Sequence, residues 1–166
     1  MQQKTLPQVI EVARPAELRA ILQPDVNMAI CRRSASLVAR SAFAALAERM
    51  QGEFRAGVTE DTFQQELKGY LTKFDTSAIQ REIICGEIGL LLSLIASMSN
   101  QRRVQLVFGH IQSDHCRLFH ADHNQLRLVC TFFGKGTEFL LNEDVNRAGL
   151  GKGTNDGQIP GSPVQR

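Results

Sequence analysis

No Cys-x-x-Cys pair occurs in the 166 residues, although cysteine is present four times, at Cys31, Cys85, Cys116 and Cys130. Spacing this wide excludes the zinc-ribbon and dithiol-redox motifs that local pattern would reveal. The N-terminus, MQQKTLPQVIEVARP, has no apolar core, so the sequence predicts no secretory signal, free thiols and a cytoplasmic location. The longest apolar run, 88–98, is about half of the roughly 20 residues a bilayer span needs, which predicts no membrane partner. Charge is not concentrated either. The formal net charge is +2, and no Lys/Arg cluster is interleaved with aromatics. Arg102-Arg103 is only a dipeptide and reads as a solvated loop end. Nucleic acid is therefore not an expected partner. Two stretches, Gly134-Lys135-Gly136-Thr137 and Gly151-Lys152-Gly153-Thr154, look superficially like phosphate loops. A phosphate loop requires an earlier glycine where this chain has Val129 and Asn146, and a hydroxyl directly after the lysine, where glycine stands.

What remains is an ordinary globular composition, 43% hydrophobic and 22% charged, in a chain long enough for one domain with a real core. The expected domain spans 1–148. Residues 149–166 are rich in glycine, proline and polar residues and predict a flexible tail or an internal loop cut open. Short strands are expected at 8–12 and 26–31, flanking a short helix at 15–22 that opens on Pro15 and stops before Pro24. Longer helices are predicted at 36–50, 60–73 and 77–97. Ser34 or Ser36 caps the first, Thr59 the second, and Asp75 or Thr76 the third. Their apolar stripes, such as Ala39, Phe43, Leu46 and Met50, read as core. The stripe on the third helix is broad enough to predict a central buried helix.

Strand character begins at Val104, with Val104, Leu106, Phe108 and His110 on one face and a second, fairly apolar face opposite. Leu126, Leu128, Cys130 and Phe132 alternate with Arg127, Val129, Thr131 and Phe133, and the glycines at 134 and 136 turn the chain into 137–141. This predicts a β-hairpin. Asn142 or Asp144 starts one helical turn.

The chemistry concentrates at His120-Ala121-Asp122. In an extended segment, residues i and i+2 point the same way, so an imidazole and a carboxylate reach one cation without bending the backbone. Non-haem Fe(II) enzymes use two histidines and one carboxylate on one face of the metal. His120 and Asp122 supply two of those three ligands. A lone His-x-Asp also arises by chance as a surface pair. Cys116 and His120 form a Cys-x3-His spacing that serves zinc if another thiolate such as Cys130 joins. Against this, Cys31, Cys85 and Cys130 read as buried thiols, and His110 as a core histidine. Arg127 can bind an acidic co-substrate or orient Asp122 by a bidentate contact.

Over this stretch the chain resembles an uncharacterised bacterial family catalogued as domain of unknown function 1826. The resemblance lies in Cys116, Phe119, His120 and Asp122, then Arg127-Leu128, Cys130-Thr131, Gly134, Gly136-Thr137-Glu138, Leu140 and Asn146-Arg147. Departures are Arg117, Phe132, Lys135 and Phe139, where the family pattern has Pro, Tyr, Pro and Trp. The resemblance implies a distant relation to Fe(II)/2-oxoglutarate oxygenases, with His120 and Asp122 as iron ligands and Arg127 in support. It also implies an association with bacterial zinc homeostasis, with Cys116, His120 and Asp122 holding zinc. Members continue into further strands and a His-Arg-Ser-Pro-like segment, so the expectation is a C-terminally truncated domain, inactive as it stands. The expected fold is α+β: N-terminal helices packed on an incomplete antiparallel double-stranded β-helix, cupin-like in form. The expected cofactors are Fe(II) and 2-oxoglutarate, with zinc as the alternative, and the substrate is a small molecule or a protein.

Overall fold

The structure, a computed structural model, describes residues 7–112, 119–121 and 124–150. The chain divides into two compact units. The first holds residues 7–33, 119–121, 124–125 and 135–150 of those described, and the second holds Ser34–Gln112 and Leu126–Gly134. Helices and sheet are mixed, as an α+β chain requires.

In the first unit, β1 (Gln8–Val12) and β2 (Val26–Cys31) are joined by a 3₁₀ helix, Pro15–Leu22. The strands run parallel, from Gln8 beside Val26 to Val12 beside Cys31. The antiparallel sheet expected from the sequence does not extend to this pair. The connecting helix reverses the chain between the two strands, so both can run in one direction. Pro15 opens that helix, and the Glu17 carboxylate accepts from the backbone N–H groups of Ala13 and Arg14, each at 3.1 Å. Arg14 also donates Nε to Glu17, which holds that carboxyl below its ordinary range.

The second unit holds α1 (Leu37–Ala47), β3 (Glu53–Val58), α2 (Phe63–Leu71), α3 (Ala78–Ser99) and β4 (Val104–Gly109). Local chemistry sets the helix starts. Ser36 Oγ accepts from Ala39 N at 3.1 Å and caps α1. Ser77 Oγ accepts from Gln80 N while Gln80 Oε1 accepts from Ser77 N, a reciprocal capping box. The cap of α3 is therefore Ser77 rather than Asp75 or Thr76. Thr76 instead braces the turn before it. Buried to 8% exposure, it donates Oγ1 to the Leu71 carbonyl at 2.8 Å. The Thr76 carbonyl accepts from Arg81, and Arg49 donates to the Asp75 carbonyl at 3.0 Å. The α2–α3 turn is thus tied down from both sides. Asn100 ends α3 in the left-handed region at φ 52°.

β3 and β4 pair antiparallel, with Glu53 beside Gly109 and Val58 beside Val104. No strand is predicted at 53–58, because Ala56 and Gly57 dilute its β propensity and its partner lies some fifty residues away in sequence. Phe54 and Val58 face the core. β4 is buried on one face only: Val104, Leu106 and Phe108 pack inward, while Val107 is 45% exposed. This corrects the expectation of a strand with two covered faces. The two sheets have two strands each, and no wider antiparallel sheet is seen among the described residues.

The core of this unit joins Phe43 and Leu46 of α1, Leu67 and Leu71 of α2, Ile84, Cys85, Ile88 and Leu92 of α3, and Phe54 and Val58 of β3. α3 is long and apolar enough, by length and composition alone, to cross a membrane. Its buried residues lie on one stripe, while Ile79 and Leu90 are 73% and 67% exposed. The expected central helix is thus buried along one stripe and exposes apolar side chains outside it.

The expected hairpin after Leu126 is also corrected. Residues 126–134 form no strand, and Phe139 makes an isolated bridge. The alternation nevertheless survives: Leu126, Leu128, Cys130 and Phe132 are half-buried, while Arg127, Val129, Thr131 and Phe133 are exposed. Phe132 stacks on Phe43 at 4.0 Å between centroids and 9° between planes. Side-chain packing therefore orients the segment without a described ladder. Gly134, at φ +87°, makes the turn that glycine permits.

Two glycines on α3 give opposite expectations. A Cβ at Gly86 meets nothing within 4 Å, so Gly86→Ala gains helix propensity and stabilises by about 1 kcal/mol. A Cβ at Gly89 meets Phe63 Cζ at 2.8 Å, and Phe63 is 5% exposed with no room to retreat. Gly89→Ala is expected to lose about 1–3 kcal/mol through overpacking. Urea denaturation of the two variants checks both signs.

Candidate functional site

Of the four expected site residues, Cys116 and Asp122 lie outside the described residues, as do His115 and His123. His120 and Arg127 are described. His120 is exposed and belongs to the first unit, directly after the half-buried Phe119. Arg127 is exposed and belongs to the second unit, on the outward side of the alternating segment that Phe132 anchors. Among the described residues, no group of three or more His, Cys, Asp and Glu side chains is placed to hold a metal ion.

The other residues singled out by the sequence fall as follows. Cys85 is buried at 1% exposure, as expected of a core thiol, whereas Cys31 and Cys130 are only half-buried. Burial pushes the Cys85 thiol above its ordinary range, with Lys68 opposing and Glu82 adding to the shift. His110 is half-buried just past the end of β4, its Nδ1 3.3 Å from Gln112 Nε2. Glu138 is exposed beside the glycine turn.

A polar hub lies outside the candidate site read from the sequence. Asn142 Nδ2 donates to the Pro7 carbonyl at 2.7 Å and to Asn27 Oδ1 at 2.9 Å. Asn27 Nδ2 donates back to Asn142 Oδ1 at 2.9 Å, and Arg147 donates to the same oxygen at 2.7 Å. One amide thus fastens the two 3₁₀ turns Asn142–Asp144 and Arg147–Gly149 to the start of β1 and to β2, within the first unit. These turns replace the single helical turn expected there. The hint in the sequence is an asparagine ending the apolar run Phe139-Leu140-Leu141. Its partners lie at the far end of the chain.

A model of one family matches residues 13–165, nearly the whole chain. The chain belongs to the family described as Protein of unknown function (DUF1826). No curated protein and no solved structure matches it. The family match reaches into both units of this DUF1826 chain and includes His120, Asp122, Arg127, Asn27 and Asn142.

Two outcomes follow. Removing either amide of the Asn27–Asn142 pair leaves the other short of partners, so a double-mutant cycle with alanine should return a coupling of about 0.5–1.5 kcal/mol. The raised thiol of Cys85 has a pH consequence. A folded-state pKa above the unfolded value favours the native state fully below the unfolded value, and the advantage is lost as pH rises through the folded one. Stability should therefore decline above about pH 9, less so in Cys85→Ala, and an aromatic disulfide reagent should modify Cys31 and Cys130 well before Cys85.

Proposed function

We propose that this DUF1826 protein binds a divalent first-row metal through His120 and Asp122 and is related to the Fe(II)/2-oxoglutarate oxygenases. The observation that carries the proposal is the His-x-Asp pair itself. An imidazole and a carboxylate at i and i+2, with His120 exposed to solvent, are a donor set suited to such a cation. Fe(II) held there would supply the activation of dioxygen. The chain's own residues have simpler roles. His120 and Asp122 hold the ion, and Arg127 offers a fixed positive fork to a carboxylate such as that of 2-oxoglutarate. On this reading the strands of the chain belong to a cupin-like double-stranded β-helix. The protein works in the cytoplasm on a small-molecule or protein substrate.

The Cys116-x3-His120 spacing favours a second reading, a non-catalytic zinc-binding protein that uses Cys116, His120 and Asp122 and acts in zinc homeostasis. The two diverge in which side chains matter and which metal is kept.

Metal analysis of the purified chain, with titrations of Fe(II) and Zn(II), tests both. His120→Ala and Asp122→Asn should each weaken binding by at least about tenfold while the melting temperature of the metal-free chain stays put. Iron with 2-oxoglutarate binding that falls on Arg127→Ala supports the first reading. Zinc lost on Cys116→Ser but kept on Arg127→Ala supports the second. If neither ion binds the wild type more tightly than His120→Ala, both are wrong.

A further inference from the structure

Helices α1 and α3 carry apolar side chains on the side away from the core. Leu37 and Val38 on α1 are 72% and 62% exposed, and Ile79 and Leu90 on α3 are 73% and 67% exposed. At about 100° per residue, Ile79, Ile83 and Leu90 share one stripe of α3, and Leu37, Ser41 and Ala45 share one stripe of α1. The two helices are neighbours. Between them runs a groove of about 520 Å³, lined by Leu37, Val38, Ser41, Ala45, Gln80 and Ile83 among others. The opposite faces of the same helices are already committed to the core through Phe43, Leu46, Ile84 and Ile88. Each helix therefore has two apolar faces and covers one of them.

The charges around this face indicate what covers it. Among the described residues, no charged side chain lines the groove. Arg40 of α1 and Glu48, its C-cap, are exposed, and neither makes a side-chain hydrogen bond or ion pair among the described residues. They stand symmetrically about Ala44 on α1. When two copies of α1 run antiparallel about a two-fold axis at Ala44, Arg40 of each copy lies across from Glu48 of the other. A parallel pairing instead sets like charges side by side. Ser41, Ala44 and Ala45 are small, which lets two helix axes approach to about 8 Å. An anionic lipid surface fits less well, because Glu48 projects from the same stripe as Leu37 and Ser41.

We propose that this face docks a second copy of the chain, with α1 and α3 of two protomers forming an antiparallel four-helix layer rimmed by reciprocal Arg40–Glu48 pairs. The proposal is independent of the metal reading.

Sedimentation velocity of the full chain over a dilution series tests it, alongside pelleting with phosphatidylserine vesicles. The expected result is a dimer that dissociates on dilution. Ala45→Glu, which puts a charge into the groove, should give a monomer with unchanged far-ultraviolet circular dichroism. Arg40→Glu should weaken dimerisation at least tenfold, and Arg40→Glu combined with Glu48→Arg should restore it. That rescue keeps the test decisive even where Ala45→Glu fails to fold. A monomer at every concentration overturns the proposal, as does a dimer indifferent to Arg40→Glu or left unrescued by the double exchange. A monomer that pellets with the vesicles overturns it too, in favour of a lipid surface.

Discussion

Phe43 ties three segments of the second unit together through one ring. It is 4% exposed, meets Phe108 of β4 edge-on at 6.2 Å and stacks flat on Phe132 at 4.0 Å. Three segments far apart in sequence therefore converge on one ring. Aromatic pairs of this kind add about 0.5–1.5 kcal/mol beyond the area they bury. The geometric consequence matters more. Residues 126–134 have no described sheet ladder to fix their orientation, so the Phe132 stack decides which side of that segment faces inward. Arg127 lies on the opposite phase and is exposed for that reason.

The elements most legible in the sequence are those whose signals are local. The helices at 37–47 and 78–99 lie close to the expected bounds, because a periodic apolar stripe is complete within a few turns, although the cap of the second is Ser77 and not Asp75 or Thr76. Pro15–Leu22, β1 and β2 are equally readable. β3 is not, since what makes Glu53–Val58 a strand is β4, and that partner leaves no mark on the segment itself. The hairpin error has the opposite cause. Alternation at 126–133 reports an amphiphilic extended segment correctly, yet says nothing about whether a ladder forms beside it. On α3, Leu90 is exposed while Leu92 is buried, because a helix apolar on most sides does not reveal which side the core takes. Of the candidate site, the His-x-Asp pair is visible as pattern. The Asn142 hub is not, because its partners Pro7 and Asn27 are joined to it only by folding.

The two units are stabilised by different physics. Nearly all buried apolar side chains lie in the second unit; in the first, Leu18 and Val26 are the buried hydrophobics among the described residues. The ion pairs do little to alter that contrast. Arg14–Glu17, Arg32–Glu11 and Arg55–Glu53 are exposed pairs, screened by solvent and of little net weight. The second unit is held by apolar packing. The first relies on the β1–β2 ladder and on the shared amides of Asn27 and Asn142, directional bonds that each contribute about 1 kcal/mol net.

That contrast bears on the metal hypothesis. His120 belongs to the unit with the smaller core. A cation bound to the folded state alone adds its binding free energy to folding, and the addition weighs most where other sources are few. Under the proposed reading, an ion at His120 and Asp122 would do for the first unit what Phe43 does for the second. It would add a bond between side chains of that unit to the ladder and amide contacts already described. On that reading a structural contribution and a catalytic one need not compete, since both would use the same ion.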